Sequence, residues 1–142
     1  MGKDDYKRLP EVRCFIDSTL REYSEATGYP PPHWRFVLTV DIFFNLLAGY
    51  NVGKGLLEIN RPLILKFWER SEDKTRRLMR YILAEEFWHY VQHKQGRLSP
   101  NPKVMRRIIG LIEAEARMKA GELSGLTLTD AEALLRNLER NR

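Results

Sequence analysis

Between Ser71 and Gly96 the chain carries apolar residues around most of a helical circumference, and no other feature restricts the possible folds as strongly. At ~100° per residue Leu78, Ile82, Leu83, Phe87, Trp88 and Val91 do not share one stripe, so a helix here has to be enclosed by other elements. The pattern predicts a start near Ser71 to Lys74, an end at His93 or Lys94, and a stop at Gly96. Ionisable residues interrupt this surface. Glu85 and His89 fall in one narrow stripe with Leu78 and Ile82, and Glu86 and His93 lie on its flank. An ionised group in such a place costs several kcal/mol unless it is paired, hydrogen-bonded or metal-bound. A polar cluster at the centre of the fold therefore needs a partner from elsewhere in the chain.

The flanking sequence supplies candidates for the enclosing elements. A first helix is predicted from Pro10 to just before Gly28, with Val12, Phe15, Ile16, Leu20 and Tyr23 at helical spacing. The prolines after Tyr29 enforce an extended linker. Trp34 to Leu47 and Leu56 to Asn60 are rich in β-branched and aromatic residues and read as two or three short strands, separated by the turn-prone stretch Gly49 to Gly55. Phe43 to Ala48 reads equally as a helical turn. Asn101 and Pro102 open a helix that reaches Lys119 or Ala120 and stops at Gly121, and Thr129 with Glu132 forms a capping box for a last helix carrying Ala133, Leu134 and Leu138. The expectation is an α+β single domain over 1–142, mostly helical, with a small mixed or antiparallel sheet around the central helix. A chain of 142 residues, 43% of them apolar, is sufficient for one core.

Composition narrows the function classes. The charged N-terminus has no apolar run of signal-peptide type, and no stretch approaches the ~18 apolar residues of a membrane span, so a cytoplasmic protein without membrane contact is expected. Cys14, the single cysteine, forms no internal disulfide and is expected to be a buried, inert thiol. The net charge of +5 leaves nucleic acid open as a partner. However, the basic groups at Lys74, Arg76, Arg77 and Arg80, at Lys103, Arg106 and Arg107, and at Arg136, Arg140 and Arg142 read as solvated helix faces, and no nucleic-acid motif accompanies them. His33, beside three prolines, reads as a surface or packing residue, and Trp34, Phe43, Phe44 and Trp68 read as core rather than as an interface. Oligomeric state is left open.

The central cluster admits two physical solutions. Residues at i and i+4 of a helix can reach one ion, so Glu85 and His89 can bind a divalent cation, or a closed hydrogen-bond network can satisfy them without any metal. The stretch Leu83-Ala84-Glu85-Glu86-Phe87-Trp88-His89-Tyr90-Val91-Gln92 resembles the active-site helix of compact gluzincin metallopeptidases, which reads HExxH. The stretch Glu113-Ala114-Glu115-Ala116-Arg117-Met118-Lys119-Ala120 resembles the later helix of that family, which supplies a third ligand. A strand like Gly55-Leu56-Leu57-Glu58-Ile59-Asn60 ahead of the motif helix belongs to the same resemblance, which covers roughly Tyr50 to Ala120.

The resemblance implies a zincin-like fold in which His89 is a metal ligand, Glu86 the general base and Glu113 the third ligand. Glu85 stands where the family has its first histidine, so the motif is degenerate. Two carboxylates and one imidazole form a harder donor set, lowering the preference for zinc relative to manganese, iron or magnesium and making any bound water harder to ionise. His93, one turn beyond His89, is an alternate ligand, and helical geometry alone leaves Glu115 as an alternate to Glu113. Arg117 stands where the family often has Asp or Asn. Three readings follow. One is a catalytically impaired zincin-like protein, a pseudoenzyme that binds or regulates a peptide or protein partner. A second is an active metal-dependent peptidase or hydrolase using Glu86. The third is a helical carboxylate-bridged metal protein, for which a second ExxH is missing.

Overall fold

The structure, a computed structural model, describes residues 3–38 and 47–140. In chain order they form α1 (Lys3–Thr27), β1 (Trp34–Val37), β2 (Ala48–Asn51), β3 (Leu56–Asn60), α2 (Arg61–Arg70), α3 (Glu72–Lys94), α4 (Pro102–Ser124) and α5 (Leu128–Arg140). The class is α+β, mostly helical, with one mixed three-stranded sheet in the order β1, β3, β2. β1 runs parallel to β3, with Trp34 opposite Leu57, and β2 runs antiparallel to it, with Tyr50 opposite Leu57 on the other side. The alternative of Phe43 to Ala48 as a helical turn, the aromatics Phe43 and Phe44, and Arg142 fall wholly or mainly outside the described residues.

α3 lies at the centre, in contact with the other four helices and with β2 and β3. Leu78, Leu83, Phe87 and Val91 are fully buried although they point in different directions, which is how a helix apolar on most sides satisfies its surface. Ser71 caps its start by accepting from the Lys74 amide at 3.2 Å, Glu72 and Asp73 complement the positive end, and Gly96, at φ +74°, turns the chain away after the last turn.

Several elements differ from the sequence expectation. α1 begins at Lys3 and runs through Pro10, whose missing amide leaves one carbonyl near the helix end unpaired, where solvent can take the bond. Cys14 is exposed, because Val12, Ile16, Leu20 and Tyr23 form the buried face and residue 14 points away from it. β2 occupies the first part of the stretch read as a turn, and the reversal to β3 is confined to residues 52–55, with Asn51 Oδ1 accepting from the Lys54 amide and Gly55 at φ +62°. α2 was not expected as an element, yet it buries Ile64, Leu65, Phe67 and Trp68. α4 passes Gly121 and ends at Gly125, whose φ of +77° provides the left-handed cap. α5 starts before Thr129, because the reciprocal cap is Thr127 with Asp130: each amide donates to the other's side chain, at 3.0 and 3.1 Å. This register buries Ala131, Leu134 and Leu138 and leaves Ala133 exposed.

Trp68 is buried and Trp34 packs against the core, while His33 is exposed. Arg76 pairs with Glu72, Arg80 with Glu22, and Lys74 donates to Asn137 Oδ1, so three residues of the first basic group are held in contacts within the chain. Among the described residues no helix is long and apolar enough to cross a membrane.

Candidate metal centre

Glu85 and His89 lie one turn apart on α3, and Glu113 reaches towards them from α4, the helix packed most extensively against α3. Each offers one ligand atom, and the three atoms lie within 4.8 Å of one another. His89 Nε2 is 3.3 Å from Glu113 Oε1. Among the described residues this is the one group of three such side chains able to hold a metal ion. Ligands at ~2.0–2.1 Å from a tetrahedral cation are roughly 3.4 Å apart, so side-chain shifts on the order of 1 Å would bring the set to that spacing.

His89 is oriented by a defined network. Its Nδ1 faces Gln92 Oε1 at 2.9 Å, and the Gln92 amide nitrogen donates to the Ile112 carbonyl at 3.1 Å and to Glu115 Oε1 at 3.4 Å. Those acceptors set the amide orientation, so Nδ1 carries a proton and Nε2 points at Glu113. Glu115 itself accepts from Trp88 Nε1 at 2.6 Å and from both Arg97 nitrogens at 2.7 and 2.6 Å. Bonding with Arg97 pulls Glu115 down to about 2. The alternates thus stand outside the cluster: Glu115 is committed to Arg97, and His93 Nδ1 is 2.7 Å from the Tyr50 hydroxyl.

The charges within the cluster compensate one another. Burial pushes Glu85 up, and the neighbouring Glu113 charge adds to the shift. Glu113 moves the other way, held down chiefly by its bond from His89. Burial alone would lower His89, but the Glu113 acceptor and the charges of Glu86 and Glu113 hold it up at about 9. Without a cation the imidazole is therefore protonated and bonded on both nitrogens, which is the closed-network solution. A cation would take the Nε2 position and replace the proton's charge with its own. The Arg117 charge acts on Glu85 and Glu113 and opposes cation binding in part.

Glu86 faces the sheet. Its Oε2 accepts the Tyr50 amide at 2.7 Å, tying α3 to β2, which lies at the edge of the sheet. Burial pushes its carboxyl up to about 7, against the opposing pull of His89, even though the residue keeps some accessible surface.

Sequence reasoning did not single out Tyr81, which precedes Glu85 by one turn as Glu85 precedes His89. Its hydroxyl is buried without a hydrogen-bond partner. Burial pushes it up to about 12, with Glu85 the next cause. The spacing of four was the available signal, and an aromatic on an apolar helix was indistinguishable from core. Arg97 was also missed, since a loop arginine carries no periodicity. The chain matches no family model, no curated protein and no solved structure.

Proposed function

We propose that the protein has a zincin-like fold with a degenerate metallopeptidase site, which holds one divalent cation on Glu85, His89 and Glu113. In this reading it acts as a binding or regulatory protein for a peptide or protein partner, with peptidase chemistry impaired. The observation that carries the reading is the convergence of three ligand atoms from two helices within 4.8 Å, together with the Gln92 contact that aims His89 Nε2 into the same space. Two carboxylates with one imidazole suit manganese, iron or magnesium as well as zinc. A cation there would polarise a carbonyl or acidify a bound water, but less strongly than one held by two imidazoles. Glu86 supports the impaired reading, since one of its oxygens is occupied in tethering β2 to α3.

An active hydrolase is the second reading, favoured by the position of Glu86 at about 7, where a general base works well near neutral pH. The mixed sheet argues against a carboxylate-bridged helical bundle. Elemental analysis of protein purified without chelator is expected to find about one divalent ion per chain, lost in both His89→Ala and Glu113→Ala. Metal retained in both variants would sink the assignment. Glu85→His is expected to tighten zinc at least about tenfold, because a second imidazole restores the softer donor set. An unchanged zinc affinity counts against aligning Glu85 with the missing histidine.

A further inference from the structure

Among the described residues Tyr81 carries the only buried hydroxyl without a hydrogen-bond partner. Tyr23 donates to the Arg80 carbonyl at 2.6 Å, Tyr90 to the Pro30 carbonyl at 2.5 Å, and the Tyr50 hydroxyl meets His93 Nδ1 at 2.7 Å. Tyr81 is 1% exposed, so bulk water does not reach its hydroxyl. A phenylalanine would fill the same space, whereas the bare hydroxyl costs about 1–3 kcal/mol. That cost is recovered in any state of the protein that brings the hydroxyl an acceptor.

α3 sets this hydroxyl beside the candidate ligands. Tyr81, Glu85 and His89 follow one another at single turns, each about 40° around the helix from the last. Helical side chains lean towards the N-terminus, so Glu85 extends back over the turn that holds Tyr81. Burial governs the ionisation of the hydroxyl most, and the charges that act on it next are, in order, those of Glu85, Arg117, Glu132 and Glu113. Of the three acids, Glu132 is exposed and lies 4.0 Å from Arg136, and Glu113 is engaged by His89 at 3.3 Å. Glu85 is the acceptor that remains.

We propose that Tyr81 is a positioning residue of the cation site, its hydroxyl donating to the Glu85 carboxylate once a cation is bound. The inference rests on the metal-binding reading given above. A carboxylate that ligates a cation is ionised, and it is held in turn by a donor outside the ligand set, in the way that Gln92 holds His89. The metal-free network leaves the Tyr81 donor idle, so this bond is made only on loading. Loading thereby removes the cost of the bare hydroxyl and fixes Glu85 in one step.

Calorimetric titration of the full chain with zinc alone and with manganese alone tests the proposal. Tyr81→Phe is expected to weaken both ions at least about tenfold. In the wild type, loading is expected to move tyrosine ultraviolet absorption to longer wavelength, as a phenol does when it donates to a carboxylate. The shift is expected to be absent from Tyr81→Phe and retained in Glu132→Gln. Wild-type protein that takes up neither ion overturns the metal-binding reading and this inference with it. Metal bound by the wild type, and within about twofold as tightly by Tyr81→Phe, overturns this inference alone. Loading without a tyrosine shift does the same. Loss of the shift in Glu132→Gln would make Glu132 the acceptor and overturn the assignment to Glu85.

Discussion

His89 has its geometry from five residues that offer no ligand atom to the cluster. Gln92 holds Nδ1, the Ile112 carbonyl and Glu115 fix which way the Gln92 amide faces, and Arg97 with Trp88 fixes Glu115. Glu85 and His89 were legible as a pair because a helix repeats every 3.6 residues, so spacing alone put them on one stripe. The choice of Glu113 over Glu115 was not legible from that geometry: both flank the buried face of α4, and the chemistry of what lies opposite decides between them. Tyr81 belongs to this scale as well. A buried hydroxyl without a partner costs about 1–3 kcal/mol relative to one that is bonded. Tyr81→Phe is therefore expected to leave the metal-free protein as stable or to stabilise it by about 1 kcal/mol, measured by urea unfolding with chelator present. A loss of stability would mean that the hydroxyl makes a bond in solution.

At the scale of elements, boundaries followed capping chemistry more closely than apolar pattern. Asn60-Arg61-Pro62 carries the same signal as Asn101-Pro102, a capping side chain followed by a proline in the first turn. At α2 the signal is masked because Asn60 also ends β3, so strand and helix share one residue and no loop announces the change. Asn60 Oδ1 accepts from the Leu63 amide at 3.1 Å, so Asn60→Ala is expected to cost about 1 kcal/mol in chemical denaturation. The two ends predicted from glycine and threonine in α4 and α5 were displaced by a few residues for a related reason. Gly121 and Gly125 are both possible stops, and Thr127 and Thr129 both begin a box of the right spacing. Only the burial of Ala131, Leu134 and Leu138 distinguishes the registers.

For the whole molecule, the Arg97–Glu115 pair joins the segment after α3 to the middle of α4 and so holds the two site-bearing helices in register. Glu115 is depressed from its ordinary 4.5 to about 2, so its contribution is fully present above pH 4.5 and is lost as the pH falls towards 2. Both side chains keep contact with water, which reduces the contribution to the order of 1 kcal/mol. Arg97→Gln is expected to lower stability by that amount near neutral pH and to remove this part of the acid dependence, as read by urea unfolding above and below pH 4.5. An identical pH dependence in the variant would show that Glu115 titrates without Arg97. By itself the sequence determined the α+β class, the central position of α3 and the shared stripe of Glu85 and His89, because each is a matter of local period and of which surfaces must leave water. The partner of that stripe, the commitment of Glu115 to Arg97 and of Glu86 to the edge of the sheet, and the exposure of Cys14 were decided only by the tertiary structure. They depend on which side chains from distant segments meet, and helical period carries no information about that.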